Sequence, residues 1–514
     1  MSDSYDELPY RSVPHPDSHP THLAVVGRLL GLPAPDPYRC RVLELGCAGG
    51  GNLIPIAWYL PDTECVGVER SVRQAEAGSR LIESLGLPNC RIQAADLQDV
   101  GADLGRFDYI LAHGVFSWVP DAVRARMLGL CRELLARNGV AFLSFNTLPG
   151  WRLRGALREM LLAHCGGVTG VAARLERARE LLRFLAAAQA EATDPAAVYV
   201  RQEVGYLLGA HPSYLYHEYL AETNEPLLFR DFAALARANG LQYLADATLA
   251  TMFPSTLGSG AEEALAAVDD QLDLEQAIDF VRLRNFRRAL LCHAEAAVDR
   301  EIALSDVQSL AFYADLPALP PLVLDAEQAQ ELPLAGGARA TIGHPLVKAA
   351  LACLAERFPA SVDFPALAAD AAARVAAAGA PALVDQAGAL AAELFSLFAA
   401  GGVRAEPVAR DPRLGAGSRS ADRPRLDRLG LALAAEGHLA TPRHQAIDLD
   451  AFGVRCAGLL DGARDAAAVG RALQLAVAHG EVPGLAGAPS STAAVQANVE
   501  RLLGLFRHHG VLAG

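Results

Sequence analysis

From residue 41 onward, short apolar runs alternate with stretches whose apolar positions recur every three or four residues. Arg41-Val42-Leu43-Glu44-Leu45 reads as a buried strand, followed by a glycine turn and a helix over 52–59. Residues 64–69, 91–94, 108–112 and 140–145 read as four more strands. Helices are predicted over 72–85 and 123–135, the second closed by Asn138-Gly139. Strands that alternate with helices build a parallel sheet covered on both faces. Ahead of this unit, residues 5–20 are rich in Tyr, Pro and His and read as an extended arm. Residues 22–30 follow as a helix ending at Gly31.

Beyond Trp151 the pattern becomes helical. Helices are predicted over 153–162, 171–189 and 195–207, then a further unit over 214–250 and a helical pair over 272–303. The Pro- and Leu-rich stretch at 316–333 reads as a boundary. The last third predicts helices over 384–399, 466–477 and 492–508, an edge strand over 401–405 and a mobile polar loop over 407–424. At 514 residues the chain is too long for one core. The expected division is an arm plus α/β domain (1–150), a helical middle domain (151–325) and a C-terminal domain (326–514).

Composition narrows the function. Apolar residues make up 52% and charged residues 20%, as in a folded protein. A net charge of −14 argues against a partner gripped mainly by its phosphates, so no nucleic acid is expected. Met1-Ser2-Asp3 does not open a leader peptide, and the most apolar region, 372–403, is interrupted by Arg374, Asp385 and Glu393, so no membrane span is expected. The nine cysteines are scattered without a CxxC pair and read as reduced core thiols of a cytoplasmic protein. No metal site is expected: His15, Asp17, His19 and His22 lie on the Pro-broken arm and read as solvated, and His508-His509 as a helix end.

Chemistry concentrates in the turn after the first strand, Gly46-Cys47-Ala48-Gly49-Gly50-Gly51. Glycines let backbone N–H groups approach a ligand, and the following helix start adds positive dipole character. A dinucleotide site wants a second glycine where Ala48 stands, and Glu44 would repel a pyrophosphate. The same carboxylate suits a ligand carrying an ammonium and a sulfonium, which describes S-adenosylmethionine. Glu69 ends the second strand, where a carboxylate accepts ribose hydroxyls; Asp96 and Leu97 follow the third, where they suit an adenine ring.

These residues resemble the first motif of class I methyltransferases. His113-Gly114-Val115-Phe116-Ser117-Trp118-Val119-Pro120 and Ser144-Phe145-Asn146-Thr147-Leu148-Pro149-Gly150-Trp151 are similar to bacterial methyltransferases with a methyltransferase regulatory domain. His217-Glu218-Tyr219-Leu220, Glu225-Pro226, Asp279 to Arg287, Arg443-His444 and Leu459 to Asp465 agree with it. The resemblance extends to rickettsial protein-lysine methyltransferases that modify outer-membrane proteins. It implies a Rossmann-like catalytic domain, a helical middle domain and a C-terminal α/β or winged-helix-like domain. It suggests N-methylation of lysines in a protein substrate; homodimerisation is a further expectation. The family usually carries Gly where Ala48 stands and Asp where Glu69 stands, changes that could shift the ribose contact.

The expected cofactor-binding set is Glu44, Gly46, Cys47, Ala48, Gly49, Gly51, Asn52, Glu69, Asp96, Leu97 and His113. The expected catalytic set is His113, Phe116, Trp118 and Trp151. An apolar, aromatic channel would deprotonate a lysine, whose free pKa is about 10, and hold its methylated form. Phe116 and Trp118 follow the fourth strand, where substrates sit in open α/β folds. Trp151 either lines the site or packs on the sheet. His113 either positions substrate, acts as base or is a hydrogen-bonded structural histidine. Tyr214, Tyr216 and Tyr219 read as packing, and the arm tyrosines Tyr5 and Tyr10 as a lid. Arg282, Arg284, Arg287 and Arg288 read as a basic run on a helix, solvated or in ion pairs. A small-molecule methyltransferase, a non-catalytic cofactor-binding scaffold and, last, a nicotinamide dehydrogenase are the alternatives. Glu69→Ala is expected to weaken S-adenosylmethionine binding severely; unchanged affinity in calorimetry would place the ribose contact elsewhere.

Overall fold

Val42, Leu43 and Leu45 are fully buried because β1 (Arg41–Leu45) runs through the middle of a seven-stranded sheet. A strand covered on both faces carries a continuous apolar run rather than an alternating one. The computed structural model describes residues 4–380, 386–412, 423–482 and 491–513. Its main sheet contains β2 (Glu64–Glu69), β3 (Cys90–Ala94), β4 (Phe107–Ala112), β5 (Leu135–Asn146), β6 (Leu241–Asp246) and β7 (Phe286–His293). The order is β3-β2-β1-β4-β5-β7-β6. The first five strands are parallel, and β7 is antiparallel to both β5 and β6. Strand order reverses between β1 and β4, so the loops after these two strands diverge and leave a crevice.

The five early strands and the helix Val72–Leu85 lie where the sequence places them. Ser71 caps that helix by accepting from Gln74 N, and Gly86 (φ 68°) closes it. Two expectations are corrected. The proposed helical pair over 272–303 is one helix, Gln271–Arg282, followed by β7. A boundary at 150 therefore cuts the sheet, whose last strands come from residues assigned to the middle domain. The helices Trp151–His164, Val171–Ala188, Pro195–Gly209 and Pro212–Tyr219 form an excursion with its own core around Leu157, Leu161, Leu182 and Tyr219.

Residues on both sides of 325 pack into one core. Phe312, Leu351, Leu394 and Val403 share the core of the main sheet. The strand Arg404–Glu406 pairs with Ala311–Tyr313, close to the expected edge strand. Residues 384 and 385 of the helix expected there, and residues 413–422 of the polar loop, lie outside the described residues. A third core, around Val469, Leu473, Val499 and Phe506, holds the C-terminal region. It carries a two-stranded hairpin, His438–Ala440 with Ala446–Asp448.

The arginines of 282–288 do not share a helix. Arg287 is on β7 and fully buried. Its guanidinium donates to both Asp279 oxygens (2.7 and 2.9 Å) and to Glu275 Oε2 (2.9 Å). Arg284 donates to Asp246 at 2.6 Å. This network pins the helix Gln271–Arg282 onto the sheet. Removing one partner of a buried pair strands the others in low dielectric. Arg287→Ala is expected to cost about 3–5 kcal/mol, read as a lowered urea midpoint. Adding Glu275→Gln and Asp279→Asn should recover part of the loss.

Candidate active site

The turn after β1 bends back on itself through Gly46 (φ 72°), Ala48 (φ 50°) and Gly50 (φ 79°). A positive φ is strained for any residue with a side chain, so Ala48 needs outside support. Glu69, at the end of β2, supplies it: Ala48 N donates to Glu69 Oε2 (2.8 Å), and Ser71 N to Oε1 (2.8 Å). The glycines differ in their surroundings. A Cβ on Gly46 would meet Val115 at 2.6 Å, and one on Gly51 would meet the Ser12 carbonyl oxygen at 2.2 Å. A Cβ on Gly49 would meet nothing within 4 Å, so the turn is open to the crevice there. Cys47 packs beneath the turn, buried beside Gly67.

Glu44 and Asn52 form the floor. Asn52 Nδ2 donates to Glu44 Oε1 (2.9 Å). Glu44 Oε2 is buried without a hydrogen-bond partner. Burial, and secondarily Glu69, push the Glu44 pKa up to about 8, with Asn52 opposing the rise. Asp96 is half-buried with Oδ1 accepting from Gln98 N, and Leu97 is buried beside it.

The arm is not solvated. His19 and His22 are buried, and His22 Nε2 contacts the Ala247 carbonyl at 2.7 Å. Asp17 pairs with Arg404 at 2.8 Å. The helix begins at Pro20, two residues earlier than expected. Ser12 Oγ accepts from Gly51 N (2.8 Å), and the His15 ring lies 3.7 Å from that of His113. Tyr10 lies near His217, whose Nε2 is 2.7 Å from the Leu8 carbonyl. The Tyr5 side chain lies outside the described residues. Residues 8–22 thus wall the crevice.

At the end of β4, His113 Nδ1 sits 3.3 Å from Ser144 Oγ, which accepts from Gly114 N at 2.7 Å. Burial foremost, then His15 and Arg288, hold the His113 pKa well below the usual imidazole range. Phe116 misses the crevice: it is fully buried, 5.4 Å from Phe232 and 6.3 Å from Phe145. Trp118 is half-buried and meets the buried Trp151 edge-on at 6.2 Å. Tyr216 and Tyr219 are buried in the helical excursion, as read. Sequence reasoning missed Asn146 and Asn224. Asn146 Nδ2 donates to Asn224 Oδ1 (3.2 Å), and Asn224 Nδ2 is buried without a partner. Asn146 lies inside the Ser144–Trp151 motif and Asn224 precedes Glu225-Pro226, but their meeting depends on Glu225 N and Leu227 N pairing with Ser117 O and Asn146 O. His508 and His509 face Asp315, with ligand atoms of the three within 4.8 Å. His508 Nε2 lies 2.7 Å from Asp315 Oδ1.

Two family models match the chain: "Methyltransferase domain" over residues 42–139 and "Predicted methyltransferase regulatory domain" over 211–293. Uncharacterized protein RP028 of Rickettsia prowazekii is 34% identical over 47% of this chain and 96% of its own length. The chain belongs to the S-adenosylmethionine-dependent class I methyltransferases with a regulatory domain. Uncharacterized protein RP789 of the same organism is 37% identical over 64% of this chain, and the match spans 59% of RP789. The structure of PKMT2 from Rickettsia typhi in complex with AdoHcy superposes with a TM-score of 0.81, covering 98% of this chain and all of that one, at 26% identity. In this methyltransferase the regulatory match includes β6 and β7, so the regulatory and catalytic parts share one sheet.

The residues present fit the family's cofactor. Glu44 Oε2 needs a donor, which an amino-acid ammonium supplies. Glu69 brings its carboxylate to the turn, where an acceptor suits ribose hydroxyls. The open side of Gly49 leaves room for the ligand.

Glu44 also gives a signed pH dependence. Its folded pKa exceeds the unfolded value, so its contribution to stability is fully present below the unfolded pKa and is lost as pH rises through about 8. Glu44→Gln is therefore expected to raise the thermal midpoint of the ligand-free protein at pH 9, little at pH 5. The same change should weaken S-adenosylhomocysteine binding at pH 8. A variant less stable at pH 9 than at pH 5, relative to wild type, would count against a strained carboxylate.

Proposed function

We propose that this methyltransferase transfers a methyl group from S-adenosylmethionine to lysine side chains of a protein. The observation that carries the cofactor part is the buried, unpartnered Glu44 oxygen facing the same turn that Glu69 braces. The acceptor part is supported by the likeness to PKMT2 over the full chain, read here as a protein lysine methyltransferase. Glu44, Asn52 and the turn would hold the amino-acid end, Glu69 the ribose, and Asp96 with Leu97 the adenine side.

When bound, the cofactor supplies an activated methyl on a sulfonium. The chain's task is to deliver a neutral amine in line with it and to keep water away. The Trp118–Trp151 pair provides an apolar face that disfavours an ammonium relative to its amine and then accommodates the methylated cation. His113 and His15, both shifted to low pKa by burial first, stay neutral at pH 7 and add no repulsive charge. Asn146 and Asn224 offer amide groups at the ends of β5 and the 224–227 segment to hold an incoming backbone or side chain. The substrate is sought among outer-membrane proteins.

Calorimetry should detect S-adenosylmethionine and no NAD. Mass spectrometry of lysates given a labelled methyl donor should place the label on lysines. Tight NAD binding without S-adenosylmethionine binding would overturn the reading, and label confined to metabolites would remove the protein substrate.

A further inference from the structure

The C-terminal hairpin ends in a turn whose work is done elsewhere. Thr441 N donates to the Gln445 carbonyl (2.9 Å), and Thr441 Oγ1 accepts from Arg443 N and Gln445 N. Arg443 is buried, donates to Glu406 (2.9 Å) and to the Pro359 carbonyl (2.7 Å), and lies 3.7 Å over the Tyr313 ring. These contacts clamp the hairpin onto the main body. His444, the next residue, has φ 57°, a left-handed conformation uncommon for a residue with a side chain. That backbone turns its ring into the floor of the cofactor crevice.

There, His444 Nε2 donates to Asn52 Oδ1 at 2.7 Å. The same oxygen accepts from His15 N at 2.9 Å and from Ser18 Oγ at 3.3 Å. With its oxygen occupied by donors on two sides, the Asn52 amide has one orientation, and Nδ2 faces Glu44 Oε1. A flipped amide would set an N–H against two N–H donors and turn its oxygen toward a carboxylate. Donors on the oxygen also polarise the amide and strengthen its Nδ2–H bond. His444 is thus two hydrogen bonds from the carboxylate that carries the cofactor proposal.

We propose that His444, through Asn52, positions Glu44 for the cofactor, so that the C-terminal region sets cofactor affinity. The inference rests on the cofactor reading above. His444 does not reach Glu44 itself, and the chemistry it serves is binding rather than methyl transfer.

The test uses the full chain and S-adenosylhomocysteine in calorimetry. His444→Asn keeps a residue that tolerates the left-handed backbone but shortens the reach to Asn52. It is expected to weaken binding by about tenfold, the size of a lost buried hydrogen bond. His444→Gln restores an N–H at a similar distance and should recover most of that loss. In an Asn52→Ala background, His444→Asn should have no further effect. With substrate in hand, KM for the methyl donor should rise while kcat holds. Thermal unfolding checks that each variant is folded. Wild type that fails to bind overturns the cofactor reading. Wild type that binds, with His444→Asn binding equally well or Asn52→Ala leaving its effect intact, overturns this inference alone.

Discussion

The crevice depends on one side-chain amide. Asn52, at the start of the helix after the glycine turn, is 3% exposed and makes hydrogen bonds in three directions. Its oxygen receives the arm through His15 and the C-terminal hairpin through His444, and its nitrogen holds Glu44. A buried polar network gains definition only when every member is satisfied. Here one acceptor is left over, the buried Glu44 Oε2. Three parts of the chain far apart in sequence agree on that single geometry.

The two departures from the family's usual pattern meet in space. Ala48 stands where a glycine is common, and it adopts the φ that suits glycine. Glu69 stands where a shorter carboxylate is common, and its Oε2 accepts the Ala48 N–H. The extra methylene lets the carboxylate reach back to the strained peptide. Read separately, each change weakens the motif. Read together, the second supports the first.

The catalytic half of the sheet was legible because parallel strands between helices leave separate apolar runs, and because glycines and strand-end carboxylates mark the ligand side. β7 was not, because Phe-Arg-Arg-Ala-Leu-Leu-Cys-His carries two arginines, one of them buried by Glu275 and Asp279 some ten residues away. A buried arginine is invisible until its counter-charges are placed. The arm histidines were misread for the same reason: Pro-broken sequence looks solvated, yet Arg404, Ala247 and His113 surround it. Phe116 was placed at the right strand end, but its ring turns inward to Phe145 and Phe232. Arg443-His444 stood out as a motif without a role, since its partner is residue 52.

That partnership has a consequence for how the protein is made. The bond between His444 and Asn52 closes a loop of 392 residues. Domains generally form in the order in which they leave the ribosome, and contacts so distant in sequence come late. The core of the sheet draws on residues as late as Val403, and the Asn52 amide waits for the hairpin before its oxygen has the last of its three donors. A chain that stops short of the hairpin therefore leaves the Asn52 oxygen without its His444 donor.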